Sequence, residues 1–514
     1  MHPVRNFEKA CDRLRQLFSS PRALLLVSVV VIAWRLLGNA PADPDLFARI
    51  GMGRLVEKLS GVPLHDPFAF TAKLPMWIDH EWLSGVVFYR VVSRWGDAGL
   101  TALKIIAAVW TCVLLVRASI LYAPQVAARM VWTVICILEA SFLWASTVRC
   151  QVFTYFLIAL TYYAFAQYRV NAVSRYLWLI PVGCIALVNM HGGYALEVSV
   201  LWIMAGSSLL QRRPWKLVAT VAALSSLAPA CTPYGFQTFA SYLVHALTME
   251  RPSISEWAAL YRDSGPFIRT TLIATPLAAG VFLALRKKEW DLTALALLGF
   301  SFYCGFSHVR FVGFAMLTAV VFGAAYFGRT VELVRSKWKS RMVMVERSLA
   351  VVGTAVIVFM IVELGVASLR PDSWRMNMRA YPSQAIEWLR SSGTTGTLLV
   401  DFNNGSFALW RLYPRFLVSM DGRYEEVYTN QAVADNALAF SPHKPEGLAA
   451  LQRIAPTHIL FHVSEASRDA QRALPAEWRE IYRDESYALY STLESHPTPD
   501  TPTQAAPDIW EPLF

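Results

Sequence analysis

Apolar residues come in long runs through the first 369 positions and thin out after that. The runs cover 21–38, 100–116, 130–147, 152–166, 177–190, 194–210, 217–231, 270–286, 291–306, 311–328 and 348–369. A helix needs ~20 mostly apolar residues to cross a bilayer. The pattern therefore predicts about eleven membrane helices, with the short pair at 177–210 open to a re-entrant arrangement. From Pro371 the period changes. AYPSQAIEWLRSS predicts an amphipathic helix with Ala385, Ile386 and Leu389 on one face. TLLVDF, FLVSM and THILFH predict short buried strands, and WREIYRDESYALYST a closing hairpin. The expected fold is an α-helical polytopic membrane protein with a small extracytoplasmic α/β domain at its C-terminal end. The expected divisions are a basic cytoplasmic tail over 1–20, a transmembrane domain over 21–369 whose first outer loop is 39–99, the α/β domain over 370–492, and a disordered Pro- and Thr-rich tail over 493–514.

Composition agrees with the runs. Of 514 residues, 55% are hydrophobic and 16% charged, where soluble proteins carry roughly 25% charged. The net charge of +10 would suit a nucleic-acid partner, but its placement assigns it to membrane orientation. Every second connection is basic: Arg117 with Arg129, Arg169 with Arg175, then Arg212, Arg213 and Lys216, then Arg286, Lys287 and Lys288, then the segment 329–347. Lys and Arg in short connections mark the cytoplasmic side, which puts the N-terminus inside and the C-terminal domain outside. The apolar run 21–38 lacks a small-residue cleavage pattern and is expected to be retained. Seven cysteines without a CxxC spacing indicate neither a zinc site nor a disulfide framework.

The opposite connections hold the unusual residues. They are 39–99, TVRCQ (147–151), NMHGG (189–193), 232–269 and SHVR (307–310). Polar chemistry thus gathers on one side of the membrane. Asp43 and Asp45 stand where the first span leaves hydrocarbon. Either caps an interfacial helix carrying Phe47, Ile50, Arg54 and Leu55, or acts as a general base. Asp66, Asp79, His80 and Glu81 either face water in an aromatic belt or line a polar cleft that binds a sugar, an anionic head group or a divalent ion. Arg149, His191, His308 and Arg310 lie at outer span ends. Arginines there oppose the usual charge bias, so they either snorkel to lipid or grip a phosphate. The turns NNG (403–405) and DGR (421–423) read first as turn chemistry.

An apolar first span, an Asp-rich outer loop and a juxtamembrane helix together resemble the GT-C class of membrane glycosyltransferases. The likeness is to the branch of bacterial aminoarabinose transferases and protein mannosyltransferases, whose Asp-Glu pair precedes a Tyr-Ala-x-Ile-like helix. Phe47-Ala48-Arg49-Ile50 matches that helix, Asp43 falls at the base position, Pro44 interrupts the acidic pair, and Asp45 is the candidate replacement. The chain also resembles a bacterial subgroup of multi-pass proteins through Asp43–Leu46, Asp66–Thr71, His80–Leu83, Asn189–Gly192, Thr232–Gly235, Gly405–Pro414 and Asp421–Arg423. The resemblance implies an inner-membrane enzyme that moves a sugar from a polyprenyl-phosphate carrier to a lipid, glycan or protein acceptor outside, with inversion. Asp43 or Asp45 would be the base, and Arg149, His308 and Arg310, backed by His191, would hold the leaving phosphate. No cofactor is required by this scheme, and the carboxylates and histidines of the first loop could hold a divalent metal. A flippase-like transporter of lipid-linked glycans, or a non-catalytic assembly partner, would use the same outer polar groups. A transporter should show charged residues midway along several spans. The runs contain few, notably Arg35, Lys104, Glu139 and Glu197, and most of these lie near ends.

Overall fold

The computed structural model describes residues 13, 14, 16, 20–38, 40–126, 128–142, 147–248 and 254–492. The tail expected over 493–514, and nearly all of that expected over 1–20, lie outside the described residues. The chain forms two compact units. One comprises 1–40, 101–236 and 250–375; the other comprises 41–100, 237–249 and 376–514.

The first unit is helical. Every apolar run carries a helix, from Pro21–Leu36 to Lys339–Ser368. Among the described residues four helices are long and apolar enough to cross a membrane: Trp82–Tyr122, Ser264–Arg286, Val309–Lys337 and Arg341–Ser368. Two of them have opposite surroundings. Val309–Lys337 runs through the middle of its unit, and Val312–Ala324 are all buried. It widens to a π turn at Ala319–Gly323, where the Ala319 carbonyl accepts the Trp132 indole N–H at 2.8 Å. A π turn frees backbone groups from the i→i−4 ladder, and a buried carbonyl needs a donor. The last helix instead leaves Val352, Phe359 and Val362 exposed. Apolar on every side, it has the surface of a lipid-facing span.

The second unit is the α/β body. Five strands, β1 (Gly396–Leu399), β2 (Phe416–Val418), β3 (His458–His462), β4 (Arg479–Arg483) and β5 (Tyr487–Ser491), lie in the order β2-β1-β3-β5-β4. β1 is parallel to β2 and β3, while β5 is antiparallel to β3 and β4. The strands and hairpin expected from the sequence are thus present, as is the helix Ser383–Ser391 with Ala385, Ile386 and Leu389 buried. One neighbour of the sheet comes from far away in sequence. The Val418 N–H donates to the Phe68 carbonyl at 3.0 Å, and the Phe70 N–H donates to the Val418 carbonyl at 3.2 Å. The segment DPFAFT therefore extends the β2 edge, which covers a row of backbone groups that would otherwise be open.

The helix Pro44–Leu59 differs from its expected form. Leu46 through Val56 are all buried, so it is no interfacial helix with a wet face. Phe47 meets Tyr381 and Phe407 edge-on at 5.1 Å each, and Gly51 sits under Leu409 of the helix Phe402–Leu412. Its other side crosses the start of the helix Trp82–Tyr122 at Gly53 and Gly85, where a Cβ on either glycine would overlap the other helix's backbone. Such close crossings need small residues. Gly53→Val is expected to force the helices apart and destabilise the unit by about 1–3 kcal/mol, read as a lower midpoint of thermal unfolding in detergent.

Candidate functional site

The second unit holds Asp43, Asp45, Asp66, Asp79, His80 and Glu81, the last four of them in two largely buried clusters. The first is built on Arg49. Its Nη1 donates to Asp79 Oδ1 at 2.7 Å, its Nη2 to Glu426 Oε1 at 2.8 Å, and its Nε lies 2.8 Å from Glu81 Oε2. Glu426 also receives the Trp77 indole N–H at 3.3 Å and lies 3.0 Å from His80 Nδ1. The Tyr242 hydroxyl is 2.9 Å from the same ring nitrogen. Asp79, His80 and Glu81 converge because they form a turn before the helix that starts at Trp82. There Asp79 Oδ1 accepts the Glu81 N–H at 2.8 Å. Their charges face other side chains of the unit.

Charge coupling in this cluster sets a pH window. Burial by itself would lower the His80 pKa, but the hydrogen bond and charge of Glu426, with Glu81 behind it, raise it to about 9. Burial lifts the Asp79 carboxyl to about 6 against the pull of Arg49. An unperturbed histidine titrates near ~6.5. The His80 imidazolium therefore stabilises the fold fully below pH ~6.5, and that contribution, roughly 3 kcal/mol, is lost as pH rises through the folded-state value. The raised Asp79 pKa acts in the same direction, its stabilisation being lost earlier, as pH rises from ~4 through about 6. The thermal midpoint is expected to fall between pH 6.5 and 9.5, roughly the interval spanned by the two histidine values, and His80→Gln to flatten that slope.

The second cluster joins Asp66 to the DGR turn. Arg423 donates to Asp66 Oδ1 at 2.5 Å and to both oxygens of Asp421, at 2.8 and 2.6 Å. The Tyr428 hydroxyl donates to Asp421 Oδ2 at 2.6 Å. The Arg423 guanidinium lies over the rings of Trp77 and Phe68, 4.7 and 5.0 Å from their centroids. Asp66 further accepts the N–H groups of Phe68 and Ala69, which shapes the turn that feeds the added sheet edge.

Asp43 is the N-cap of Pro44–Leu59 and accepts the Asp45 N–H at 3.1 Å. It is 3% exposed, whereas Asp45, in the first turn, is partly open. Asp45 Oδ1 lies against the Gly422 Cα, in the space that a side chain on Gly422 would fill. Glycine at the centre of the DGR turn thus admits the Asp45 carboxylate.

The first unit holds the remaining candidates. Arg149 and Arg310 line one small cavity of about 40 Å³ together with Lys104, Gln151, Tyr155 and Glu256. That volume holds about two or three waters. Arg149 Nη1 donates to Glu256 Oε1 at 2.5 Å, and the Arg310 guanidinium stacks 4.3 Å over Trp257. Burial pushes the Glu256 carboxyl up, but the charge and hydrogen bond of Arg149, with the charge of Arg310, outweigh it and hold the group below the usual carboxylate range. Three cationic side chains and one carboxylate line this cavity, an arrangement suited to an anion. His308 Nδ1 donates to the Trp257 carbonyl at 2.7 Å, which ties SHVR to the ISEW turn. His191 Nδ1 accepts the Gly193 N–H at 3.0 Å and lies 2.7 Å from the Thr154 hydroxyl. A Cβ at Gly193 would overlap Thr154, so the second glycine of NMHGG is required for that contact. Sequence reasoning passed over Arg49 and Glu426 as partners, and over Lys104 and Glu256 as neighbours of the arginines. A lysine inside an apolar run was the available signal for Lys104. Among the described residues no three His, Cys, Asp or Glu side chains are grouped to hold a metal ion.

No protein-family model matches the chain, and no curated protein is similar to it in sequence. Solved structures do share its fold. The archaeal oligosaccharyltransferase AglB from Archaeoglobus fulgidus, in complex with an inhibitory peptide and a dolichol-phosphate, aligns with a TM-score of 0.59 at 11% identity, over 86% of this chain and 69% of that one. The same oligosaccharyltransferase tethered to an acceptor peptide containing the NVT sequon aligns at 0.57 and 10% identity, over 86% and 69%. Its apo form aligns at 0.56 and 10% identity, over 92% and 74%. At such identities the likeness is one of fold: the chain shares the fold of this archaeal oligosaccharyltransferase.

Proposed function

We propose that the chain is an inverting glycosyltransferase that moves a sugar from a polyprenyl-phosphate carrier to an extracytoplasmic lipid, glycan or protein acceptor. In this reading it sits in a bacterial inner membrane with eleven spans, the N-terminus inside and residues 39–99 and 370–492 outside. The observation that carries it is the cavity of Lys104, Arg149 and Arg310 within a GT-C fold. The leaving group of such a reaction is a phosphate, and fixed positive charge stabilises it as it departs. Asp43 or Asp45 takes the proton of the acceptor hydroxyl. The acceptor atom bonds to the anomeric carbon from the side opposite the carrier, the bond to phosphate oxygen breaks, and the electron pair leaves on the carrier phosphate. Arg149 and Arg310 bind that phosphate, with His308 and His191 holding the turns around it. Asp66, Asp79, His80 and Glu81 contribute to substrate binding in this reading. Each role rests on the residues of its own unit. No metal step is required. Activity before and after chelation tests whether a divalent ion takes part.

Glu256 occupies the cation cavity in the free protein, so carrier phosphate must displace it. The experiment is binding of a short polyprenyl phosphate to the full-length protein in detergent. Losing one charge-assisted arginine contact costs about 1.5–3 kcal/mol, roughly 10- to 100-fold in affinity. Arg149→Gln and Arg310→Gln are expected to weaken binding by that much, and Glu256→Gln to tighten it severalfold. Wild-type affinity in all three variants would remove the phosphate role. Undiminished binding with no transfer to any acceptor would favour a flippase-like carrier protein.

A further inference from the structure

The first unit has a second, larger cavity that the transfer reaction does not use. It measures about 570 Å³, within the ~300–1,000 Å³ typical of ligand sites. Its lining comes from the ends of helices next to the basic connections: Arg169 at the end of Gln151–Asn171, Arg213 after Tyr194–Leu210, Asp291 at the start of Leu292–Ser307, and Arg329 near the end of Val309–Lys337. The outer-side candidates Arg149, His191 and His308 adjoin the opposite connections.

The charges here do not balance. Three guanidiniums, of Arg169, Arg213 and Arg329, face two carboxylates, of Glu289 and Asp291, which leaves one positive charge in excess. Arg329 pairs with Glu289. Arg169 and Arg213 share one oxygen, Asp291 Oδ2, at 3.0 and 2.7 Å. The other oxygen, Oδ1, accepts the Ala294 N–H at 3.1 Å as the helix cap. The rest of the wall is apolar and aromatic, with Tyr122, Tyr168, Trp290, Phe322 and Tyr326. A basic recess between membrane helices, beside the basic connections and floored by aromatic rings, matches an amphiphile with a phosphate head.

We propose that this cavity binds the phosphate head group of an anionic phospholipid, held by Arg169 and Arg213 with its glycerol and upper acyl segments along the aromatic wall. The site is separate from the residues assigned to transfer. Asp291 competes with the lipid phosphate for the two arginines, so it sets the affinity rather than contributing to it.

The test uses the full-length protein, delipidated in detergent, with native mass spectrometry and thermal unfolding as readouts. The probes are phosphatidylglycerol, phosphatidylcholine and inorganic phosphate. Phosphatidylglycerol is expected to be retained and to raise the unfolding midpoint, and phosphatidylcholine to do neither. Arg213→Gln, which leaves the Arg169–Asp291 pair in place, should weaken phosphatidylglycerol binding about fivefold. Asp291→Asn, which keeps helix-capping ability, should strengthen it severalfold. A cavity held together only by its ion pairs would lose stability in Asp291→Asn and gain no affinity. Equal binding of the two lipids, or wild-type binding in both variants, overturns the proposal. Displacement of the lipid by an equal concentration of inorganic phosphate overturns its lipid part and leaves a free-anion site.

Discussion

Asp45→Asn or Asp43→Asn, whichever removes the base, is expected to slow sugar transfer by about 10²–10⁴-fold, the usual contribution of a positioned general base. The substitution is suited to the question because it changes chemistry and little else. Asparagine has nearly the shape of aspartate and caps a helix about as well, so Asp43→Asn keeps the acceptor for the Asp45 N–H that starts Pro44–Leu59. Asp45 fits against Gly422 without a side chain between them, and the amide fits the same space. The two sites therefore separate by rate rather than by folding. If Asp45 is the base, Asp43→Asn stays within a few fold of wild type, and the reverse holds if Asp43 is. Transfer would be followed with the purified protein by release of polyprenyl phosphate, with unfolding midpoints measured alongside to confirm that the fold is retained.

Arg49→Met is expected to be the most damaging single change to the fold. The Arg49 side chain is buried among Asp79, Glu81 and Glu426. Methionine fills much of the volume but leaves three carboxylates facing one another with only His80 between them. Breaking a buried ion pair by removing one partner costs about 3–5 kcal/mol, a large share of the ~5–15 kcal/mol that holds a typical protein folded. The variant should accumulate poorly and unfold at a clearly lower temperature. Arg49→Lys should recover little, because an ammonium cannot reproduce the planar fork that reaches all three carboxylates. Glu426→Gln in the Arg49→Met background should recover part of the loss, since it removes the carboxylate with most contacts in the cluster. Equal midpoints for wild type and Arg49→Met would show that the cluster does not hold the unit together.

Much of this was legible in the sequence, and the boundary of legibility has a physical cause. Helices announce themselves in long apolar runs, and each run was found to carry one, four of them among the described residues being long and apolar enough to cross a membrane. The strands FLVSM and THILFH and the hairpin at 478–492 were readable from local period and turn residues. Tertiary partnerships were not. Nothing in DPFAFT names Val418, some 350 positions later in the chain, as its strand partner, and nothing in EEV names Arg49. The helix at Pro44 misled because Phe47, Ile50 and Leu55 suggest one apolar face, while Gly51 and Gly53 let two further helices approach closely enough to bury the rest. The run Asp79-His80-Glu81 would diverge on a helix, but a turn brings all three toward Arg49 and Glu426. Of the candidate site, Arg149 and Arg310 were visible as cations in connections that the charge pattern assigns to the outer side. Glu256 was visible only as one letter of an aromatic turn, because its partner Arg149 lies 107 positions earlier.

The most direct test of the transferase reading is mass spectrometry of envelope glycolipids and glycoproteins from source cells lacking the chain, complemented either by the wild type or by the double variant Asp43→Asn, Asp45→Asn. A sugar-bearing species should disappear on deletion, return with the wild type, and stay absent with the double variant at equal protein level. Full restoration by the double variant would contradict base catalysis by this aspartate pair, and an unchanged glycan profile on deletion would contradict the transferase itself.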